Sequence, residues 1–141
     1  MAIKIDQKYF DLLKAYGEET YPDECCGFLL GAHSNGVKVV QTTLPAFNAQ
    51  QRTEKYHRYL ITPETFLQGE KFAKEHGLDI VGFYHSHPNA AAKPSTFDLE
   101  HGWPWYSYVI VSVTENQAQE VASWVMDSNR VEFQEEPIII V

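Results

Sequence analysis

Leu78-Asp79-Ile80-Val81-Gly82-Phe83-Tyr84-His85-Ser86-His87-Pro88 is a near-continuous apolar and β-branched run that ends in two imidazoles and a proline. Such a run is expected of a central strand covered on both faces, with Pro88 ending it. Successive strand side chains alternate faces, so His85 and His87 point the same way and Ser86 points to the other side. Asp98 stands eleven residues after His87, within Pro94-Ser95-Thr96-Phe97-Asp98. Two neutral imidazoles and one carboxylate suit zinc, and a site with three protein ligands keeps its fourth position for water, the mark of catalytic rather than structural zinc. A carboxylate off the metal must then handle protons.

Working outward, Ser95-x-x-Asp98 has the form of a capping box that opens a helix through about Gly102. As a pure cap, Ser95 and Asp98 would only satisfy backbone donors. The ligand reading is favoured for Asp98 because His-x-His needs a third ligand, whereas Ser95 is evenly balanced between the two roles. Upstream, Thr62-Pro63-Glu64-Thr65 reads as an N-cap with proline at the first helical position. That helix is expected to run to about Gly77, with Phe66, Leu67, Phe72 and Ala73 on one side. Pro45 to Tyr59 reads as a polar loop that ends in a short strand around Tyr56 to Ile61.

Nearer the start, Tyr9, Leu12, Leu13 and Tyr16 follow helical spacing between Asp6 and Gly17, so the chain is expected to open on an amphipathic helix. Cys25 to Ala32 then reads as a buried strand, His33-Ser34-Asn35-Gly36 as a hairpin turn, and Val37 to Leu44 as its partner. After the histidine segment, Tyr106 to Val113, Val121 to Asp127 and Arg130 to Glu135 alternate like strands. The tail Pro137-Ile138-Ile139-Ile140-Val141 is apolar enough to pack or pair as an edge strand. The fold class is α+β, with no internal repeat and no linker, and residues 1–141 are expected to form one domain.

The formal charge of -8 lacks any Lys/Arg cluster, which argues against a nucleic-acid surface. No stretch approaches the ~20 apolar residues of a bilayer span, and Met1-Ala2-Ile3-Lys4 has no signal-peptide apolar region, so the expected location is cytoplasmic. Cys25 and Cys26 are adjacent and cannot readily bridge one another, which fits a reducing compartment and buried packing rather than a nucleophile or metal ligand. His33, His57, His76 and His101 have no second ligand at suitable spacing and read as surface or turn residues. Trp103 and Trp105 could line a substrate groove, but aromatic residues beside a buried strand are more often core, and the core is expected for them.

Taken together, His85-Ser86-His87-Pro88, Ser95-x-x-Asp98 and the upstream Pro22-x-Glu24-x-x-Gly27-x-Leu29-x-Gly31 resemble the MPN/JAMM zinc metalloproteases. Asn48, the Tyr59-Leu60-Ile61-Thr62-Pro63 segment and the Ser123-Trp124-Val125-Met126 strand also sit where small bacterial members have theirs, so the resemblance covers nearly the whole chain. It implies a curved mixed β-sheet flanked by helices, the MPN/JAMM-like or cytidine-deaminase-like fold. It also implies one zinc on His85, His87 and Asp98, Glu24 as general base and acid, and Ser95 as donor to the developing oxyanion. Small stand-alone members look like the branch that acts on ubiquitin-like sulfur carriers of the ThiS/MoaD type. The implied reaction is hydrolysis after the carrier's C-terminal Gly-Gly; the carrier, the leaving group and the oligomeric state stay open.

Three alternatives compete. A non-heme Fe(II) oxygenase uses the same two-His-one-carboxylate set, but such proteins usually need a larger all-β barrel. A non-catalytic MPN scaffold that only binds a partner typically lacks ligands that are all here. A phage-tail or cell-wall-associated peptidase usually brings a second catalytic domain.

Overall fold

The computed structural model describes residues 2–141. The elements run β1 (Ala2–Ile5), α1 (Gln7–Thr20), β2 (Cys26–Ser34), β3 (Val37–Ala46), α2 (Pro63–Glu75), β4 (Asp79–Pro88), α3 (Thr96–His101), β5 (Ser107–Thr114), β6 (Gln117–Met126), β7 (Phe133–Glu136) and β8 (Ile138–Ile140). All eight strands join one mixed sheet in the order β7-β6-β5-β4-β2-β3-β1-β8. This is the α+β architecture expected, with the histidine-bearing run as its central strand.

β4 pairs antiparallel with β2 and parallel with β5. It is buried along nearly its whole length, which is why its sequence is apolar without alternation. One face of the sheet carries Leu29, Val81, Tyr84, Val109 and Val111, packed with Leu13 of α1. The other carries Phe28, Leu30, Phe83 and Tyr108, packed with Ala73 of α2. Two layers of helix therefore sandwich β4, and the alternation sends Tyr84 and Ser86 toward α1 and Phe83, His85 and His87 toward α2. Among the described residues, no helix is long and apolar enough to cross a membrane.

Several expectations need correction. The chain opens on β1 rather than on a helix; four residues too short to show a period pair in parallel with β3 and with β8. α1 does not stop at Gly17 but continues to Thr20. Gly17 lies against the sheet, where a Cβ would meet Val113 Cγ2 at 3.0 Å, so this glycine serves a close approach and not a helix end. Residues Tyr56 to Ile61 form no strand: Tyr56 and His57 end a run of turns and 58–61 are irregular, for a reason that emerges below. Leu67 points to solvent, and the side of α2 that meets the sheet carries Gly69, Phe66, Phe72 and Ala73.

Other readings match closely. Thr62 caps α2, its side chain accepting from Thr65 N, with Pro63 in the first turn. The β2–β3 hairpin turns on Asn35 and Gly36 alone, both left-handed, and its strands run longer than read. The apolar tail is an edge strand, β8, as expected. β6 begins earlier than Val121, and β7 begins at Phe133, because Arg130 is left-handed and belongs to the turn.

Candidate metal centre

Three elements deliver the side chains that meet at the C-terminal end of β4. His85 and His87 come from β4 itself, fully buried and nearly so. Asp98 comes from the first turn of α3, where the capping box is complete: Asp98 N donates to Ser95 Oγ at 3.0 Å, and Ser95 N donates to Asp98 Oδ2 at 2.9 Å. That same Oδ2 lies 3.3 Å from His85 Nε2 and 3.1 Å from His87 Nε2, and the two Nε2 atoms are 3.1 Å apart. Capping and convergence on the histidines are thus properties of one oxygen, and the two readings of Asp98 are not exclusive.

Glu24 arrives from the segment just before β2. The register that sets Cys26 opposite His85 brings it there. A carboxylate oxygen of Glu24 and one ring nitrogen from each of His85 and His87 lie within 4.8 Å of one another. Glu24 is 3% exposed, and its Oε1 finds no hydrogen-bond partner on the protein.

The donor set fits a divalent metal. His87 Nδ1 faces the Ala91 carbonyl at 3.0 Å, so it carries the hydrogen and leaves the Nε2 lone pair directed at the common centre. Zinc bonds of 2.0–2.2 Å put the ligand atoms of a tetrahedral ion about 3.4 Å apart, and the three distances among His85, His87 and Asp98 approach that spacing. The 4.8 Å bound leaves Glu24 within reach of the same centre as His85 and His87.

The electrostatics follow from burial. Burial pushes the Glu24 carboxyl up to about 8, with His87 pulling it down and Asp98 pushing it up. Burial would raise Asp98 too, but His85, His87 and the Ser95 N–H hold it well below the usual carboxylate range. Burial lowers His85; it acts the same way on His87, where the bond to Asp98, the charges of Asp98 and Glu24 and the Ala91 carbonyl together outweigh it and the net shift is upward.

Ser95 is exposed at the N-cap, and its oxygen accepts from Asp98 N, which leaves the hydroxyl hydrogen free to donate outward. Cys25 and Cys26 are free, buried thiols as expected, and burial pushes them up to about 11 and about 12, far from a thiolate at neutral pH. The remaining four histidines are exposed.

Two features lay beyond the reach of local sequence signals. The Tyr59 ring stacks on His85, with centroids 4.5 Å apart and planes 25° from parallel, closing one side of the site. A groove of about 210 Å³ runs beside Asp98, walled by Tyr59, Leu60, Phe97, Trp103 and Tyr108. Trp103 and Trp105 are 58% and 44% exposed, not core residues. Both belong to a short connection before β5, where Trp103 N donates to Tyr108 Oη and Trp105 is left-handed, so the chain turns their rings outward.

A family model described as prokaryotic homologues of the JAB domain matches residues 6–127. A desampylase of Haloferax volcanii is 36% identical over 92 residues, which is 64% of this chain and 63% of that protein. A desampylase of Pyrococcus furiosus is 27% identical over 111 residues, 77% of this chain and 71% of that one. The tail tip assembly protein K of Escherichia phage N15 is 30% identical over 93 residues, 65% of this chain but only 33% of the phage protein. Among solved structures, a protein from Desulfitobacterium hafniense superimposes with a TM-score of 0.85 at 26% identity, covering 99% of this chain and 92% of the other. A protein from Salinibacter ruber gives 0.77 at 36% identity, covering 98% and 91%.

Proposed function

The chain belongs to the family of prokaryotic JAB-domain homologues, and from that premise we propose that it is a zinc-dependent hydrolase acting on conjugates of a ubiquitin-like protein. The bond cleaved is the peptide or isopeptide bond after the C-terminal Gly-Gly of a sulfur carrier of the ThiS/MoaD type. The single observation that carries the reading is the convergence of His85 Nε2, His87 Nε2 and Asp98 Oδ2 within 3.1–3.3 Å, with the unpartnered Glu24 carboxylate beside them. The two desampylases support hydrolysis of a ubiquitin-like conjugate as the reaction class.

His85, His87 and Asp98 would hold one zinc per chain. When bound, zinc supplies a Lewis acid that polarises the scissile carbonyl and brings the pKa of a water down to about 7. Glu24 takes a proton from the attacking water and later returns it to the leaving amine, the step that amide cleavage requires. Its burial suits the accepting half of that task, because a desolvated carboxylate binds a proton more readily than a hydrated one. The Ser95 hydroxyl donates to the oxygen on which negative charge develops. The Tyr59 ring shields His85 from water, which strengthens every charge interaction in the site. An Fe(II) oxygenase would leave Glu24 without a task.

The test is a ThiS/MoaD-type carrier with a short peptide after its Gly-Gly, incubated with the zinc-loaded protein and followed by mass spectrometry. Trimming to the Gly-Gly terminus is expected, and replacement of the last Gly by a β-branched residue should abolish it. Equal cleavage of unrelated unfolded peptides would sink the carrier assignment and leave a general zinc peptidase.

A further inference from the structure

Glu24 is not held by the strand that follows it, since β2 begins at Cys26. Both of its main-chain polar groups bond instead to the connection between β3 and α2. Glu24 N donates to the Lys55 carbonyl at 2.7 Å, and the Glu24 carbonyl accepts from Asn48 Nδ2 at 3.0 Å. Asn48 is 9% exposed and spends its whole polar capacity on the backbone. Nδ2 also donates to the Arg58 carbonyl at 3.1 Å, while Oδ1 accepts from Gln50 N at 3.0 Å and from Leu60 N at 3.1 Å. An amide offers two donated and two accepted bonds, and here all four are made.

One side chain thus ties three stretches together: the Glu24 main chain, the turn at residues 48–50, and Arg58 to Leu60. The middle residue of the third stretch is Tyr59, whose ring lies on His85. It also explains why Tyr56 to Ile61 is no strand. The N–H of Leu60, which a sheet would have taken, is taken by Asn48, and one backbone bond, Ala49 N to the Leu60 carbonyl at 2.9 Å, completes the clasp.

We propose that Asn48 is a positioning residue for the hydrolysis: it sets, through the main chain, where the Glu24 carboxylate and the Tyr59 ring stand relative to His85 and His87. The proposal rests on the function proposed above, in which Glu24 moves the proton. A displacement of about 1 Å in a catalytic group costs on the order of 10²-fold in rate. Aspartate at this position would keep the two accepted bonds but turn lone pairs toward the Glu24 and Arg58 carbonyls, pushing both stretches away.

The experiment compares Asn48→Asp and Asn48→Ser with the zinc-loaded wild-type protein; the smaller serine keeps the comparison available should the aspartate variant not fold. Expected are wild-type zinc stoichiometry, KM within a few-fold, and kcat per folded molecule reduced by about 10²-fold. The second readout needs no activity. The ring protons of His85 feel the Tyr59 ring current, and their NMR shifts should move toward those of a Tyr59→Leu reference in both Asn48 variants. Hydrogen exchange at the Leu60 and Glu24 amides should accelerate with them. Unmoved His85 shifts and unchanged kcat in a folded variant would overturn the proposal, leaving Asn48 a contributor to stability alone. If the wild-type protein cleaves no conjugate, the functional reading falls by itself, and the NMR shifts and amide exchange still decide whether Asn48 sets the position of Tyr59 and Glu24.

Discussion

At the N-terminal ends of β4 and β5, Lys38, Ser107, Ser123 and Glu136 are buried together and bonded in sequence. Lys38 Nζ donates to Ser107 Oγ and to the Trp105 carbonyl, and Ser107 and Ser123 both donate to Glu136 Oε1, leaving only Glu136 Oε2 without a partner. At the opposite end of β4, His85, His87, Asp98 and Glu24 are as deeply buried, yet they turn acceptor atoms toward one another. The first cluster contains its own cation. Burial pushes Lys38 down and Glu136 holds it up, as an internal pair should. The second has two carboxyl groups and no lysine or arginine, and an unpaired buried carboxylate is expensive. Burial alone therefore does not mark a candidate metal site; a buried excess of acceptors sharing one centre does, because it calls for an added proton or metal cation to compensate it.

The comparison breaks most visibly on metal content. His85→Ala, His87→Ala and Asp98→Ala should each lose the zinc, since two remaining ligands rarely hold it tightly, whereas Lys38→Met should keep it. Metal analysis of the folded variants decides, and full occupancy in His87→Ala would remove His87 from the ligand set.

Glu24→Gln should retain zinc and lose turnover by about 10²–10⁴-fold, the usual contribution of a general base. The same variant sharpens the electrostatic contrast in metal-free protein. The Glu24 carboxyl is pushed up from 4.5 to about 8, so its contribution to stability is full below about 4.5 and is lost as pH rises through about 8. Glutamine does not titrate. The thermal stability of Glu24→Gln relative to wild type should therefore grow across that window, and parallel pH curves would mean that Glu24 is not held neutral by burial.

At the other end, Lys38→Met strands Glu136 and should cost about 3–5 kcal/mol in denaturant unfolding while leaving kcat per folded molecule unchanged. A fall in kcat would couple the two ends of the sheet. The smallest effect is expected at Ser95→Ala, about 10²-fold in kcat if its hydroxyl supports the oxyanion. Loss of about 1 kcal/mol of stability with unchanged kcat would reduce it to a helix cap.

Much of this was legible locally. The unbroken apolar run before His85, the Thr62-Pro63 helix start, the Asn35-Gly36 turn and the Ser95-x-x-Asp98 box each state their geometry within a few residues, because backbone preference and face alternation are short-range physics. The side that α2 turns to the sheet was only partly legible: Leu67 has the right spacing for it, yet Gly69 is the buried residue there. A glycine at a contact has no apolar signature.

By itself, the sequence determined the histidine alternation on β4, the carboxylate cap of α3 and the α+β class, all consequences of local periodicity and capping. Only the tertiary structure decided that β1 pairs between β3 and the edge strand β8, that Trp103 and Trp105 face outward, and that residues 58–61 stay irregular. It also brought the Glu24 carboxylate to the histidines, through the Cys26 to His85 register and the Asn48 clasp. Those outcomes depend on hydrogen bonds and packing between residues far apart in the chain, and no window of local sequence contains both partners.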